Sequence, residues 1–238
     1  MIIVTGGAGF IGTNLVRSLI ESDKEILIVE ELDRYTKKFE NIKNLEILDC
    51  LDHNIFLKDL HNGKYVNKID QIFHLGACSK TTEPDRDYIM DVNLNYSKKL
   101  LEYSANNNID MIYASSASVY GGGTIFKEDS NNESSLNHYS ESKLLFDNHV
   151  RENITKIRSQ IVGMRYFNVY GPYEQHKEVM SSVAYHFYNQ FKQYGMLKLF
   201  RGSHGYDDGE QRRDFVHVKD TIDIKLWFMQ NNYSGIFN

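Results

Sequence analysis

The chain has 238 residues, of which 41% are hydrophobic and 25% are charged, and its net charge at pH 7 is −5. This is the balance of a globular protein with one well-buried domain, or one domain and part of a second. The negative net charge gives no electrostatic case for binding nucleic acid. Two distant cysteines, Cys50 and Cys78, suggest neither a disulfide framework nor a zinc site, and we predict no metal. No apolar run reaches the length of a membrane span, and the first strand begins too early to leave room for a signal peptide, so we expect a reduced, cytoplasmic protein with no membrane partner.

Short β-rich runs alternate with amphipathic helices along most of the chain. This alternation predicts a parallel sheet with right-handed crossovers and helices on both faces, which is a Rossmann-type doubly wound α/β fold. The alternation weakens after about residue 170, so we predict a dinucleotide-binding domain over 1–169. Residues 170–238 would then form part of a smaller substrate-binding lobe, with one strand returning to the main sheet. The predicted strands are 2–5, 25–29, 45–48, 71–75, 111–114 and 159–165, and the predicted helices are 11–21, 52–62, 85–107 and 138–152.

A glycine-rich turn connects the first strand to the first helix, with the sequence Gly6-Gly7-Ala8-Gly9-Phe10-Ile11-Gly12. In such a turn Gly6 permits the tight bend, Gly9 lets the backbone approach a pyrophosphate, and Gly12 lets the helix pack closely on the strand. The helix N-terminus then attracts the phosphates. The spacing Gly-x-x-Gly-x-x-Gly is typical of short-chain dehydrogenases, so a bound dinucleotide is predicted.

Charged residues at the end of the second strand bear on which dinucleotide binds. Glu30 and Glu31 stand where a carboxylate can bind a ribose hydroxyl, which favours NAD. Arg34, Lys37 and Lys38 follow closely, and cations there would suit the 2′-phosphate of NADP. A solvated charged loop explains the same residues equally well, so the residues themselves leave NAD and NADP open.

Candidate chemistry comes from Tyr139 and Lys143, which share one face of a predicted helix and follow the serine pair Ser115-Ser116 at a strand end. The Lys143 ammonium would stabilise the phenolate of Tyr139 and lower the tyrosine pKa from about 10. Either serine could hydrogen-bond the same reacting oxygen. Such a tyrosine can take a proton from a sugar hydroxyl while a nicotinamide takes the hydride. His74 lies inside the fourth strand and is predicted to be a packed histidine, not a catalyst.

Further motifs are Phe73-His74-Leu75-Gly76-Ala77-Cys78-Ser79, Thr81-Thr82-Glu83, Tyr113-Ala114-Ser115-Ser116-Ala117, Arg165-Tyr166-Phe167-Asn168-Val169-Tyr170-Gly171-Pro172, His176-Lys177 and Arg213-Asp214-Phe215-Val216. With the residues above, they resemble the extended short-chain dehydrogenase/reductase family and, within it, the ADP-L-glycero-D-manno-heptose 6-epimerase family. The resemblance covers essentially the whole chain. It implies that NADP oxidises C6 of the heptose to a ketone, which turns in the site and is reduced on its other face, for lipopolysaccharide inner-core synthesis. It also implies a homo-oligomer, a pentamer.

The resemblance implies a role for each matching residue. Tyr139 would serve one face of the sugar carbon and Lys177 the other, with Lys143 and Ser116 supporting Tyr139. By its sequence context alone, Lys177 would be a solvated loop lysine. The implied dinucleotide contacts, added to the three glycines Gly6, Gly9 and Gly12, are Phe10, Ile11, Glu30, Glu31, Lys38, Leu75, Gly76, Ala77, Cys78, Ser79, Lys143 and Val169. The implied sugar-nucleotide contacts are Asn168, His186, Phe200, Arg201, Gly202, Ser203 and Arg213.

Some positions depart from the family pattern. Glu31 stands where an uncharged Asn is common, Val92 replaces an Asn near the cofactor, and Val179 replaces a substrate-binding Ser. The family also continues beyond residue 238, which suggests an interrupted chain with weak turnover. Two alternatives stay open: another nucleotide-sugar epimerase, such as a UDP-hexose 4-epimerase, and a truncated, non-catalytic dinucleotide-binding module. A 4,6-dehydratase is disfavoured, because Ala117 and Ser118 stand where that chemistry requires an Asp-Glu pair.

Overall fold

The computed structural model describes residues 1–21, 24–32, 37–203 and 205–238. Its centre is a seven-stranded sheet in the order β3-β2-β1-β4-β5-β6-β9. All neighbouring strands in this sheet are parallel. The strands are β1 (Ile2–Thr5), β2 (Ile26–Glu30), β3 (Asp49–Asp52), β4 (Gln71–His74), β5 (Asp110–Ser116), β6 (Ile161–Tyr166) and β9 (Gly235–Phe237), and two further strands, β7 (Asn168–Tyr170) and β8 (Phe215–His217), lie outside this sheet.

Helices cover both faces of the sheet and form two separate cores. On one face, Leu15 of the first helix and Phe228 of the last pack on the sheet. On the other face lie Phe56, Leu100 and Phe146 from three other helices. The predicted doubly wound parallel fold is therefore confirmed. The helices are α1 (Phe10–Ile20), α2 (His53–His61), α3 (Arg86–Ile89), α4 (Tyr96–Asn106), α5 (His138–Asn153), α6 (Val183–Tyr194) and α7 (Val218–Gln230), and a π-helical segment, Met90–Asn95, joins α3 to α4.

The prediction of the third strand was wrong in its position. The strand was expected over residues 45–48, but β3 begins at Asp49 and pairs with β2 at the edge of the sheet. Leu45 and Ile47 pack against the core from the segment that precedes the strand. An edge strand needs less apolar surface than a central one, so the hydrophobic residues marked the approach to the strand and not the strand itself.

The chain from β7 onward forms a small second sheet and then returns to the main sheet. β7 and β8 form a separate two-stranded parallel sheet, and α6 lies between them in sequence. β9 then pairs with β6 at the edge of the main sheet. The division into two domains at residue 170 stays a prediction. Among the helices that the structure describes, none combines the length and the apolar character needed to cross a bilayer.

Candidate functional site

A cleft of about 590 Å³ opens where β1, β4, β5 and β6 end. Parallel strands all point the same way, so the residues after their last positions meet at one edge of the sheet. This brings together segments that are far apart in the sequence. Residues that line the cleft are Gly6, Gly9, Phe10, Ile11, Gly12, Glu30, Lys38, Leu75, Gly76, Ala77, Ser79, Lys80, Ala114, Ser115, Ser116, Tyr139, Lys143, Tyr166, Phe167, Asn168, Val169, His176, Lys177 and Met180.

The glycine turn at the floor of this cleft has the geometry that a dinucleotide requires. Gly6 has φ 71°, and a Cβ added there would lie 2.6 Å from the backbone nitrogen of Gly76. A Cβ on Gly12 would lie 2.0 Å from the carbonyl oxygen of Gly6. Gly9 is the N-cap of α1 and provides no side-chain cap, which leaves the first helical amides available to a phosphate. The turn therefore fits the pyrophosphate of a dinucleotide.

Glu30 and Lys38 form an ion pair beside the glycine turn. The buried Glu30 carboxylate accepts a hydrogen bond from the Ala8 backbone N–H at 2.9 Å and one from Lys38 Nζ at 2.6 Å. The carboxylate thus braces the glycine turn and holds a cation at the cleft. Glu31, a second predicted cofactor contact, does not line this cleft in the part of the chain that the structure describes. Arg34 lies outside the described residues.

The loop after β4 is fixed by the π-helical segment. Asn93 in that segment accepts a hydrogen bond from the Cys78 N–H at 2.8 Å. Its amide nitrogen donates to the Cys78 carbonyl and to Ser142 Oγ, both at 3.1 Å. Ser142 Oγ in turn donates to the Tyr139 carbonyl at 2.7 Å. Asn93 therefore connects the predicted cofactor loop to the helix that carries Tyr139.

His74 is packed beneath the same loop. Its Nδ1 lies 2.7 Å from Thr5 Oγ1 and its Nε2 lies 2.7 Å from Ser97 Oγ. Thr5 Oγ1 also accepts the Gly76 N–H at 3.0 Å. Burial lowers the pKa of His74 to about 3, which keeps the ring neutral. The prediction of a packed histidine is confirmed.

Ser116, Tyr139 and Lys143 meet in the cleft. Ser116 is the last residue of β5, and the other two lie on the first turns of α5, whose N-cap is Asn137. The Ser116 side chain is hydrogen-bonded to Tyr139. Lys143 Nζ donates to the Ala114 carbonyl at 2.8 Å and lies 5.9 Å from the centroid of the Tyr139 ring. The geometry is that of a phenol with one hydroxyl partner and a nearby ammonium.

The pKa of Tyr139 runs opposite to the prediction. Burial raises the pKa of the phenol above its usual value, and the hydrogen bond from Ser116 opposes this only in part. Burial also lowers the pKa of Lys143 to about 8, although the Asp147 carboxylate acts in the other direction. The expected depression fails because Lys143 directs its ammonium to Ala114 and because both groups are removed from water.

A cluster of buried charges stands behind these residues. Arg165 Nε and Nη2 each donate to Asp147 Oδ2 at 3.0 Å, and Nη2 also donates to Glu133 Oε1 at 2.6 Å. Ser115 Oγ donates to the same Asp147 oxygen at 2.8 Å, and Tyr113 donates to Oδ1 at 2.9 Å. Ser115 is therefore engaged by Asp147, which leaves Ser116 as the serine that contacts Tyr139.

Lys177 reaches the cleft from a short 3₁₀ segment, Gln175–Met180, that follows β7. Its Nζ lies 5.6 Å from the centroid of the Phe10 ring. Burial lowers the pKa of Lys177, and the Glu174 carboxylate partly offsets this. The lysine that the sequence context would place in solvent is half-buried in the same cleft as Tyr139.

A second cleft, of about 690 Å³, adjoins the first and shares Ser116, Tyr166, Phe167 and Asn168 with it. Arg213 lines this second cleft beside Arg212. Seven residues predicted to contact a ligand line neither cleft among the described residues: Glu31, Cys78, His186, Phe200, Arg201, Gly202 and Ser203. Their roles, like those of the other predicted site residues, stay predictions.

Several lining residues were not among the predicted contacts. Tyr166 and Phe167 lie in the Arg165–Pro172 motif, and His176 precedes Lys177, so all three could have been predicted to line the cleft from the motifs that contain them. Lys80 and Met180 carried no such signal. Within the described segments, no three His, Cys, Asp or Glu side chains gather in a way that could hold a metal ion.

The fold agrees with comparisons to known proteins. The chain belongs to the NAD dependent epimerase/dehydratase family, whose model matches residues 2–238. It is 48% identical to an ADP-L-glycero-D-manno-heptose-6-epimerase from Thiobacillus denitrificans, over 99% of this chain and 71% of that one. The crystal structure of the enzyme of that name from Helicobacter pylori superposes with a TM-score of 0.86 at 32% identity, covering 100% of this chain and 75% of that one. A UDP-glucuronic acid 4-epimerase from Bacillus cereus, solved with UDP-glucuronic acid and NAD, gives 0.75 at 28% identity, covering 99% and 76%.

Proposed function

We propose that this protein is a nucleotide-sugar epimerase that inverts C6 of the heptose in ADP-D-glycero-D-manno-heptose to give ADP-L-glycero-D-manno-heptose. The name of its relatives supports the substrate. The observation that carries the chemistry is that Ser116, Tyr139, Lys143 and Lys177 line one cleft with a phosphate-binding glycine turn. The proposed setting is lipopolysaccharide inner-core synthesis. A homo-oligomeric, pentameric assembly and a cytoplasmic location remain predictions.

Each side chain of the cleft has its own role in the proposed reaction. A bound nicotinamide supplies hydride-accepting and hydride-donating capacity at the sugar carbon. Tyr139, held by Ser116, takes the proton of the C6 hydroxyl as the carbon becomes a ketone, and Lys143 lies beside it with its ammonium bound to the Ala114 carbonyl. Inversion requires that the ketone be reduced on its opposite face, where a second group must return the proton. Lys177 is that group in this proposal.

We assign NADP as the cofactor, with NAD as the alternative. The Lys38 ammonium stands at the cleft beside Glu30, where a 2′-phosphate would find a cation. Glu30 itself already accepts hydrogen bonds from Lys38 and Ala8. Calorimetric titration with each dinucleotide tests the assignment, and a tighter NAD complex would reverse it.

The adjoining cleft is proposed to receive the sugar nucleotide. Arg213 can bind a pyrophosphate bidentately, and Arg212 beside it adds a second positive charge. Asn168 lies in both clefts, between this region and the reacting groups.

The deciding experiment is to incubate the protein with NADP and ADP-D-glycero-D-manno-heptose and to resolve the two C6 epimers by chromatography. Tyr139→Phe should reduce conversion by about 10²- to 10⁴-fold while cofactor binding persists. Tyr103→Phe is the matched control, because among the described residues the Tyr103 hydroxyl has no hydrogen-bond partner, and Tyr103 does not line the cleft. Conversion that survives Tyr139→Phe would refute the assignment of Tyr139.

The two alternatives give other outcomes in the same assay. A 4-epimerase would convert UDP-hexoses and leave the heptose unchanged. A non-catalytic dinucleotide-binding module would bind NADP, convert neither sugar, and be indifferent to Tyr139→Phe.

A further inference from the structure

Asn41 is a buried amide that connects two parts of the cleft that are far apart in the sequence. It is 4% exposed and ends a short 3₁₀ turn, Lys37–Asn41. On one side its Nδ2 donates to the carbonyl of Ala8, in the glycine turn, at 3.4 Å. On the other side the same nitrogen donates to the Tyr173 carbonyl at 3.3 Å and lies 3.3 Å from His176 Nδ1.

The orientation of this amide is determined by its neighbours. Asn41 Oδ1 accepts a hydrogen bond from Gln175 Nε2 at 2.9 Å, so the nitrogen must be the atom that faces the two carbonyls. The two amide hydrogens then serve the carbonyls of Ala8 and Tyr173, and the nitrogen also lies beside the His176 ring. One asparagine thereby holds the residue that immediately precedes Lys177.

Residues 172–182, here called the Lys177 segment, need such external anchors. Tyr173 has φ 75° and Glu178 has φ 50°, which is a strained conformation for residues with a Cβ. Strain of this kind persists only where the surroundings over-determine the backbone. Asn14 Nδ2 donates to the Pro172 carbonyl at 3.0 Å, and the Arg17 guanidinium lies 4.6 Å from the Tyr173 ring centroid.

The far end of the Lys177 segment is held by Glu174. Its buried carboxylate accepts hydrogen bonds from the Gly171 N–H at 3.1 Å and from Ser182 Oγ at 2.9 Å. Lys177 itself donates its backbone N–H to the Glu174 carbonyl at 2.9 Å. The lysine therefore takes its position from the backbone of its segment, and Asn41 is the anchor that reaches from this segment to the glycine turn.

We infer that Asn41 is a positioning residue that fixes Lys177 against the glycine turn, so that the element that binds the cofactor also places the second proton-transfer group. This inference rests on the proposed function for the role of Lys177. The physical link between Asn41 and the segment can be tested without any turnover.

The first test is hydrogen exchange measured by mass spectrometry on Asn41→Ala. Loss of the Asn41 side-chain amide removes its weak hydrogen bonds to the glycine turn and to the Lys177 segment. The backbone amides of residues 172–182 should therefore exchange about tenfold faster. Those of α5 should be unchanged. Asn44→Ala, three residues later and exposed, is the matched control and should exchange like the parent. Unchanged exchange over 172–182, or a uniform increase across the chain, would overturn the inference. If Asn41→Ala does not fold, Gln175→Ala takes its place. This substitution removes the hydrogen bond from the exposed Gln175 side chain to Asn41 Oδ1, and it must still accelerate exchange over 172–182.

The second test uses turnover and separates the inference from the proposed function. Asn41→Ala should lower kcat by about 10²-fold through misplacement of Lys177, with the Kd for NADP within about twofold of the parent. Added to Lys177→Met, it should cause no further loss, because the group it positions is gone. A further loss of similar size in the double variant would contradict the inference. A parent with no epimerase activity would refute the proposed function, while the exchange result would still decide the role of Asn41.

Discussion

Replacement of Lys225 by methionine should stabilise the protein. Lys225 is 0% exposed on α7. Its Nζ donates to the Thr221 carbonyl at 3.1 Å and lies 4.7 Å from the centroid of the Tyr166 ring. Among the described residues, no carboxylate lies within ion-pair distance of this ammonium. A buried cation without a counter-charge is destabilising, and methionine fills a similar volume without the charge.

The size of the effect follows from the pKa of Lys225. Burial lowers this pKa from 10.5 to about 7. Between these two pH values the unfolded chain binds a proton that the native protein does not, so stability rises with pH across this window. At about 1.4 kcal/mol per pKa unit, burial of Lys225 costs on the order of 4 kcal/mol at pH 7 and about 2 kcal/mol at pH 9.

Urea unfolding of the parent and of Lys225→Met, followed by circular dichroism at pH 7 and pH 9, measures this difference. The variant should be more stable at both pH values, and its advantage should shrink by about 2 kcal/mol between them. Lys219→Met, on the exposed side of α7, is the control and should change stability by less than about 1 kcal/mol. The reasoning fails if Lys225→Met is no more stable than the parent at pH 7, or if its advantage is independent of pH.

Three further substitutions test the cleft and its support. Gly12→Ala should abolish NADP binding, because the added Cβ would lie 2.0 Å from the Gly6 carbonyl oxygen; calorimetry that shows full affinity would contradict the geometry. Asp147→Asn should lower the free energy of unfolding by about 3–5 kcal/mol, since Arg165 loses a buried counter-charge, and a loss below about 1 kcal/mol in urea would refute this role. Lys38→Ala should weaken NADP binding about tenfold more than NAD binding, and equal losses in parallel titrations would argue against a 2′-phosphate at this lysine.

The sequence predicted the fold where local signals are strong. The central strand β1 is an almost continuous apolar run, and α5 begins with a capping box at Asn137, so both could be located from residue type. The edge strand β3 could not be located, because its residues Asp49–Asp52 are half polar. One helix was predicted over residues 85–107, but the structure has a π-helical segment within it, which no residue pattern predicts.

The candidate site, like the fold, could be predicted only where its residues belong to local sequence motifs. Tyr139, Lys143 and Ser116 belong to local motifs, so their meeting in one cleft could be anticipated. The groups that support them come from other parts of the sequence. Asp147 accepts a hydrogen bond from Arg165, and the Asn41 amide lies beside the His176 ring. The pKa of Tyr139 was predicted in the wrong direction for a related reason, because burial depends on the packing of the whole cleft and not on the spacing of two residues.

The position of β1 has a consequence for how the protein folds and how long it stays folded. The first strand of the chain lies inside the sheet between β2 and β4, and the cleft exists only once β1, β4, β5 and β6 are all paired. A dinucleotide therefore finds its site only in the native protein, and at about 100 times its Kd it adds about 2.7 kcal/mol to stability. Because the dinucleotide binds only the completed cleft, this stabilisation should slow unfolding and leave the folding rate almost unchanged. The cofactor would then govern the lifetime of the native protein in the cell and its resistance to proteolysis, while strand pairing governs how fast that state is reached.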